Sequence, residues 1–223
     1  MNFFIYISLL SILLIFVNNY LLKLDYLVSE TGDNHQKFAS KIKIPLTGGI
    51  FFFLSILFFH EELGSNFLLF SILVLILGII SDLKFIQSAK KRLIFQLTIV
   101  LIFIILNDIQ IINTRVDLLD NLISYKYVNY FFVCFCVLIV INGSNFFDGL
   151  NTLNTGYYLL ITLILIYLNS TGNIIFQDLL LKYLFLILII IYIFNFLNKI
   201  FIGDSGSYLL GFVFSIFLIN FYA

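Results

Sequence analysis

Long apolar runs repeat along almost the whole chain, near residues 3–22, 44–59, 67–80, 93–106, 127–141, 157–168, 179–197 and 208–222. No water-soluble fold can hide them. With 62% hydrophobic and 11% charged residues, too little polar surface remains to cover a soluble domain. The pattern predicts an all-α, polytopic membrane protein with about eight transmembrane helices. Several runs are shorter than the roughly 20 residues a full span prefers, so neighbouring polar residues must extend them. The first run has no basic residue before it and no small-residue cleavage site, which reads as an anchor rather than a signal peptide. No soluble domain, linker or internal repeat is visible.

The polar connections fix the orientation. The loops 23–43, 81–92, 142–154 and 199–207 hold nine of the 12 Lys and Arg residues, while the opposite set holds Arg115, Lys126 and Lys182. The positive-inside rule makes the first set cytoplasmic and puts the N-terminus outside. Asp82, Asp148 and Asp204 then share the cytoplasmic face. Cys134 and Cys136 lie two apart inside an apolar run and read as packing residues, not as a disulfide or metal pair.

A carboxylate beside hydrocarbon is costly, so these aspartates mark candidate chemistry. Four cytoplasmic segments stand out. The first runs from His35-Gln36-Lys37 through Lys41 and Lys43 to Pro45-Leu46-Thr47-Gly48-Gly49, either a cationic rim that gathers phosphates or a basic loop beside anionic headgroups. In the second, Asp82 ends one helix while Arg92 and Gln96 open the next, one turn apart on one face. An anion between them would meet a carboxylate and a guanidinium; the bland alternative pairs Asp82 with a nearby Lys. The third sets Asn142, Asn145 and Asp148 in line on a helical face, suited to a hard cation, a sugar or a nucleotide. The fourth, around Asn195 and Lys199, ends in Gly203-Asp204-Ser205-Gly206-Ser207. There the glycines clear space around Asp204, and the serines could cap a helix beginning at Tyr208. Aspartates with few His or Cys favour Mg²⁺, or Mn²⁺ as the alternative, over zinc.

These four segments, in this order, resemble the polyprenyl-phosphate N-acetylhexosamine-1-phosphate transferases (glycosyltransferase family 4), the superfamily of phospho-N-acetylmuramoyl-pentapeptide transferase. The match runs through Pro45 to Gly49; Gly78 to Asp82 with Arg92-Leu93 and Gln96; Asn142 to Leu150; and Phe194-Asn195 with Lys199 to Phe212. The resemblance implies transfer of an N-acetylhexosamine 1-phosphate from a UDP-sugar to undecaprenyl phosphate, releasing UMP, to initiate cell-envelope polysaccharide synthesis in the bacterial cytoplasmic membrane. It implies Asp82 and Asp148 as catalytic residues, with Asp82 in a positioning or weak-base role. Asp204 and Asn145 would hold Mg²⁺, and Lys43, Arg92, Asn142, Asn195 and Gly203 would contact substrate. Membrane lipid is an expected partner and nucleic acid is not; a homodimer is left open.

The chain departs from the family pattern in three places. The family's Asp-Asp pair is Ser81-Asp82, and the second Asp expected after Asp148-Gly149-Leu150 is Asn151. Residues 1–223 are also expected to form a single transferase domain without the family's C-terminal helices and its loop rich in His and Arg. Two alternatives follow: an inactive homologue that binds lipid phosphate or nucleotide sugar, or an ion-coupled transporter with intramembrane aspartates.

Overall fold

The computed structural model describes residues 2–30, 42–148, 152–170 and 178–222. Its helices are α1 (Phe3–Leu24), α2 (Gly48–Ile56), α3 (His60–Leu63), α4 (Ser65–Asp82), α5 (Ala89–Asn107), α6 (Asp117–Ile123), α7 (Lys126–Asp148), α8 (Leu153–Ser170), α9 (Asp178–Phe196) and α10 (Gly203–Tyr222). Among the described residues, α1, α4, α7, α8, α9 and α10 are long and apolar enough to cross a membrane. The protein is therefore an all-α, multi-pass membrane protein.

Two further passes follow from connectivity. The C-terminal ends of α4 and α7 meet at the start of α10, through Asp82 and Asp148, so the chain must return to the far side between them. That return is α5, which at 19 residues is about 28 Å long. Lys90, Lys91 and Arg92 load its first turn with charge. Residues 48–63 carry the chain across ahead of α4. The expected single helix over 44–59 is instead broken: β2 (Lys43–Pro45) pairs antiparallel with β1 (Val28–Glu30), then come α2, a 3-10 turn at Leu57–Phe59, and α3. The Gly48-Gly49 pair and the aromatic run behind it admit this division, because α2 is short and packs with seven of its nine residues buried.

Helix α10 is the axis of the bundle: 78% of its apolar window is buried, against 17% for α1. Such burial requires close backbone approach, which small residues allow. A Cβ on Gly49 would lie 2.4 Å from Gly206 N, one on Gly78 2.2 Å from Ser205 Cα, and one on Gly211 2.6 Å from Ile141 Cα. Glycines thus draw α2, α4 and α7 onto α10. Further from the site, Phe67 of α4 stacks on Phe212 and Phe217 of α10, and Phe103 of α5 meets Phe212 edge-on. Outward faces such as Leu69, Leu73 and Ile76 on α4, or Phe131, Phe135 and Ile139 on α7, stay exposed, as lipid contact requires. Both cysteines are free, and Cys134 is buried in the α7 core.

The opposite end carries α6 and a polar knot. Asp108, just past α5, accepts hydrogen bonds from the Tyr130 hydroxyl and from Gln110 at 2.8 Å, and pairs with Lys126 at 3.0 Å. Asn129 is buried and grips both backbone groups of Ile111.

Candidate active site

Helix α4 ends in an αL residue, Lys84 (φ 61°), and α9 ends in the same way at Asn198 (φ 53°). Their last carbonyls are closed by paired bonds, Lys84 N–H to Ser81 O with Phe85 N–H to Ile80 O, and Asn198 N–H to Asn195 O with Lys199 N–H to Phe194 O. These fixed ends hold Ser81, Asp82 and Asn195 at one end of the bundle. Phe201 joins them to the hairpin: its N–H donates to Pro45 O at 2.8 Å, and its carbonyl accepts from Gly48 N–H at 3.0 Å. The first and fourth sequence segments are thereby stitched together.

Helix α10 starts at Gly203, not at Tyr208, so Ser205 and Ser207 lie inside the helix and both are buried. The cap comes from another helix. Asp82 Oδ1 accepts the Asp204 N–H at 2.7 Å, and Oδ2 accepts the Ser205 N–H at 3.1 Å. A carboxylate facing the positive end of a helix is electrostatically favoured and satisfies two N–H groups that have no partner within the helix. Gly203 makes this approach fit. Its φ is +69°, and a Cβ there would sit 2.8 Å from Asp82 Oδ2, so the position needs glycine for both conformation and space.

Asp204 points to a different set of partners. Its Oδ2 accepts from Ser81 Oγ and from Arg92 Nη1 at 2.9 Å. The same Arg92 nitrogen lies 3.1 Å from Ser81 Oγ and 3.3 Å from the hydroxyl of Tyr208. The Arg92 and Asp204 side chains keep about a quarter of their surface exposed, 25% and 23%. Arg92 thus pairs with Asp204 and not with Asp82, which corrects the expected anion slot between Asp82 and Arg92. The reason is that α10's N-terminus already occupies both Asp82 oxygens. The alternative Asp82–Lys pair does not form among the described residues.

Asp148 closes α7 close enough to Asp82 and Asp204 for the three charges to act on one another, and it faces the Gly203 backbone N–H. Helix α7 continues through the stretch read as a polar connection, so Asn142, Asn145 and Asp148 lie on consecutive turns. Asn142 donates to Gln96 Oε1 at 3.1 Å and to Leu138 O at 2.8 Å. Gln96 is buried, and its Nε2 has no hydrogen-bond partner among the described residues. Asn145 is half-buried, and its side-chain amide makes no hydrogen bond among the described residues.

Two expected substrate contacts take other work. Asn195 is buried; its Oδ1 accepts from Thr152 N–H at 2.7 Å and its Nδ2 donates to Ile200 O at 3.0 Å. Its amide clamps backbone around α8 and α10. Lys43 sits in β2 on the hairpin, with its ammonium 2.6 Å from Asp25. His35, Gln36, Lys37, Lys41, Gly149, Leu150 and Asn151 lie outside the described residues.

Sequence reading missed three contributors. Ser81 counted only as a missing carboxylate, yet its hydroxyl serves Asp204. Tyr208 stands one helical turn after Asp204, a spacing that points both side chains the same way. Asn18, a polar residue in an apolar helix, accepts from Thr47 Oγ1 at 2.8 Å and reaches Lys199 O at 3.4 Å, tying α1 to the same end. A further buried chain, Ser144 to Asn154 to Ser207, pins α7, α8 and α10 together.

The donor set fits a hard divalent cation. Asp82 is compensated by the helix terminus and Asp204 by Arg92, while Asp148 has no cationic side-chain partner among the described residues. Asp204 Oδ1 accepts no hydrogen bond among the described residues. No group of three His, Cys, Asp or Glu is preassembled as a ligand cage among the described residues. Mg²⁺ does not need one, since it commonly takes one or two carboxylates and fills its shell with water and substrate phosphate.

Among known proteins, the family model described as glycosyl transferase family 4 matches residues 65–222, well over half of the chain and spanning α4 to α10. No curated protein matches the chain.

Proposed function

The chain belongs to glycosyl transferase family 4, and from that membership we propose that it transfers an N-acetylhexosamine 1-phosphate from a UDP-sugar to undecaprenyl phosphate, initiating a cell-envelope polysaccharide in the bacterial cytoplasmic membrane. One observation carries the reading: Asp82, Asp148 and Asp204 converge from three helices at one end of the bundle, with the Arg92 guanidinium among them. A site at that depth suits an acceptor held in lipid and a donor arriving from water.

In the proposed reaction, an oxygen of the lipid phosphate forms a bond to the sugar-bearing phosphorus, and the bond from that phosphorus to the departing UMP oxygen breaks. The lipid phosphate is largely ionised near neutral pH, since its second pKa is near 6, so little is asked of a base. Bringing anions together is the harder task. Asp204 and Asp148, with Asn145 nearby on α7, would hold Mg²⁺, which when bound supplies charge neutralisation at the phosphates. Arg92 has guanidinium N–H groups beyond the one facing Asp204 and would bind phosphate with them. Asp82 acts as a positioning group, because its carboxylate is committed to the start of α10. Asn195 and the Phe201 bridge hold the neighbouring turn in place.

The test is UMP release by the purified protein in lipid nanodiscs containing undecaprenyl phosphate, with UDP-N-acetylglucosamine or its epimers as donor and Mg²⁺ or Mn²⁺ present. Turnover that falls by about 10²-fold or more in Asp148→Ala and Asp204→Ala is expected, the scale of losing a charge-stabilising group. No release, with an active family member run in parallel, overturns the reading. Nucleotide-sugar binding without turnover assigns the chain instead to a binding homologue.

A further inference from the structure

Arg92 is an unusual partner for a carboxylate that is to hold a metal. A single nitrogen, Nη1, faces Asp204 Oδ2, Ser81 Oγ and Tyr208 OH at 2.9, 3.1 and 3.3 Å. Tyr208 also points its hydroxyl at the same Asp204 oxygen, at the outer limit of 3.5 Å. Asp204 Oδ2 is thus crowded by donors while Oδ1 accepts none among the described residues. On the other side, Arg92's remaining N–H groups make no hydrogen bond among the described residues. Ser81, which donates to Asp204, is neutral and places no second negative charge beside this guanidinium.

We propose that Arg92, supported by Ser81 and Tyr208, is a latch that holds Asp204 as an internal ion pair and releases it when phosphate arrives, so that cation and phosphate bind cooperatively. The proposal rests on the reading of Asp204 as a metal-holding carboxylate. The physical basis is a competition between like charges. A guanidinium against Oδ2 repels a divalent cation approaching the same carboxylate, and in a part-buried site that repulsion is weakly screened. A phosphate dianion is the better partner for Arg92, because it accepts from the unused N–H groups in a two-pronged arrangement. Once Arg92 turns to phosphate, Asp204 is left with an uncompensated negative charge at the moment a cation is needed. Ser81 and Tyr208 are neutral and follow either partner without adding charge. By linkage, phosphate then strengthens cation binding by the same factor as the cation strengthens phosphate binding.

The experiment measures Mn²⁺ affinity by electron paramagnetic resonance on the full chain in nanodiscs, first without any phosphate ligand and then with undecaprenyl phosphate in the bilayer. Arg92→Met is expected to bind Mn²⁺ alone about tenfold more tightly than the wild type, within the 5–150-fold usual for coupled sites. Arg92→Lys keeps the charge and is expected to bind as the wild type does. Undecaprenyl phosphate is expected to tighten Mn²⁺ binding more in the wild type than in Arg92→Met. Mn²⁺ should also raise the thermal unfolding temperature of Arg92→Met more than that of the wild type, a readout independent of turnover. Equal or weaker Mn²⁺ binding by Arg92→Met overturns the latch and leaves the metal reading intact. If Arg92→Met does not fold, Ser81→Ala takes its place, since it removes one of the donors that holds the latch shut. A gain in Mn²⁺ affinity supports the latch and no gain overturns it. Mn²⁺ binding that survives Asp204→Asn unchanged, or is absent from wild type and variants alike, overturns the metal reading and the latch with it.

Discussion

Replacing Gly78 with alanine adds one methyl group on the face of α4 that meets the start of α10. The new Cβ would lie 2.2 Å from Ser205 Cα, 2.6 Å from Ser205 N and 2.9 Å from Asp204 C. All three are backbone atoms, so no side chain can rotate away. Ordinary contact begins at 3.4 Å, and the helices must therefore part by about 1.2 Å. The strain of overpacking costs about 1–3 kcal/mol. Alanine's better helix propensity returns about 1 kcal/mol. The Asp82 bond to Asp204 N–H, 2.7 Å in the structure, stretches past useful length and removes about 1.5 kcal/mol more. The net loss is about 1.5–3.5 kcal/mol, which a bundle of this size can survive. Activity is more sensitive, because a shift of about 1 Å in a reacting group costs on the order of 10²-fold. Thermal unfolding and UMP release on the same nanodisc preparation separate the two effects. Gly143→Ala is the stability control, since nothing lies within 4 Å of a Cβ there. A Gly78→Ala protein that keeps its turnover within about threefold of wild type would refute the claim that α4 and α10 touch backbone to backbone at the site.

Other substitutions probe the remaining contacts. Asp82→Ala leaves two N–H groups at the head of α10 without their acceptor and should cost about 2–4 kcal/mol, with Asp82→Asn roughly half that, read as thermal unfolding; wild-type stability in Asp82→Ala would sink the capping role. Asn195→Ala should lose about 2–4 kcal/mol while the folded fraction keeps its donor KM; a raised KM with unchanged stability would restore the substrate contact. At the opposite end, hydrogen bonds from the Tyr130 hydroxyl, then Lys126 and Gln110, hold the Asp108 carboxyl down at about 2. Its folded value lies below the ordinary value near 4, so its stabilisation is present above about pH 4 and fades as pH falls toward 2. Asp108→Asn should flatten that acid limb in unfolding curves taken from pH 5 to pH 2, and an unaltered limb contradicts the pairing.

The passage from sequence to site was uneven, and the reasons lie in particular residues. Asp82, Asp148 and Asp204 were legible because a carboxylate next to an apolar run has few innocent explanations. What each does was not legible. Asp82 and Asp204 are 122 residues apart, and no spacing rule says that the first caps the helix that carries the second. Asn195 was expected at the substrate from the family resemblance, and no spacing rule says that its amide would bond the backbone of Thr152 and Ile200. Ser81 looked like a loss because its hydroxyl gains meaning only beside Asp204. The second apolar run read as one helix because hydropathy does not register where a backbone bends.

The sequence by itself determined the solvent, the all-α class, the family and the side of the bundle on which charge collects. Solvent and class are carried by local composition and periodicity, which the bilayer imposes on every segment independently. The family is carried by four motifs in order, and the charged side by how Asp, Lys and Arg are shared among the connections. Tertiary structure alone decided which carboxylate caps, which one pairs with Arg92 and which is left for a ligand. Those assignments depend on glycines that bring α2, α4 and α7 within touching distance of α10, and such proximity exists only once the helices are packed.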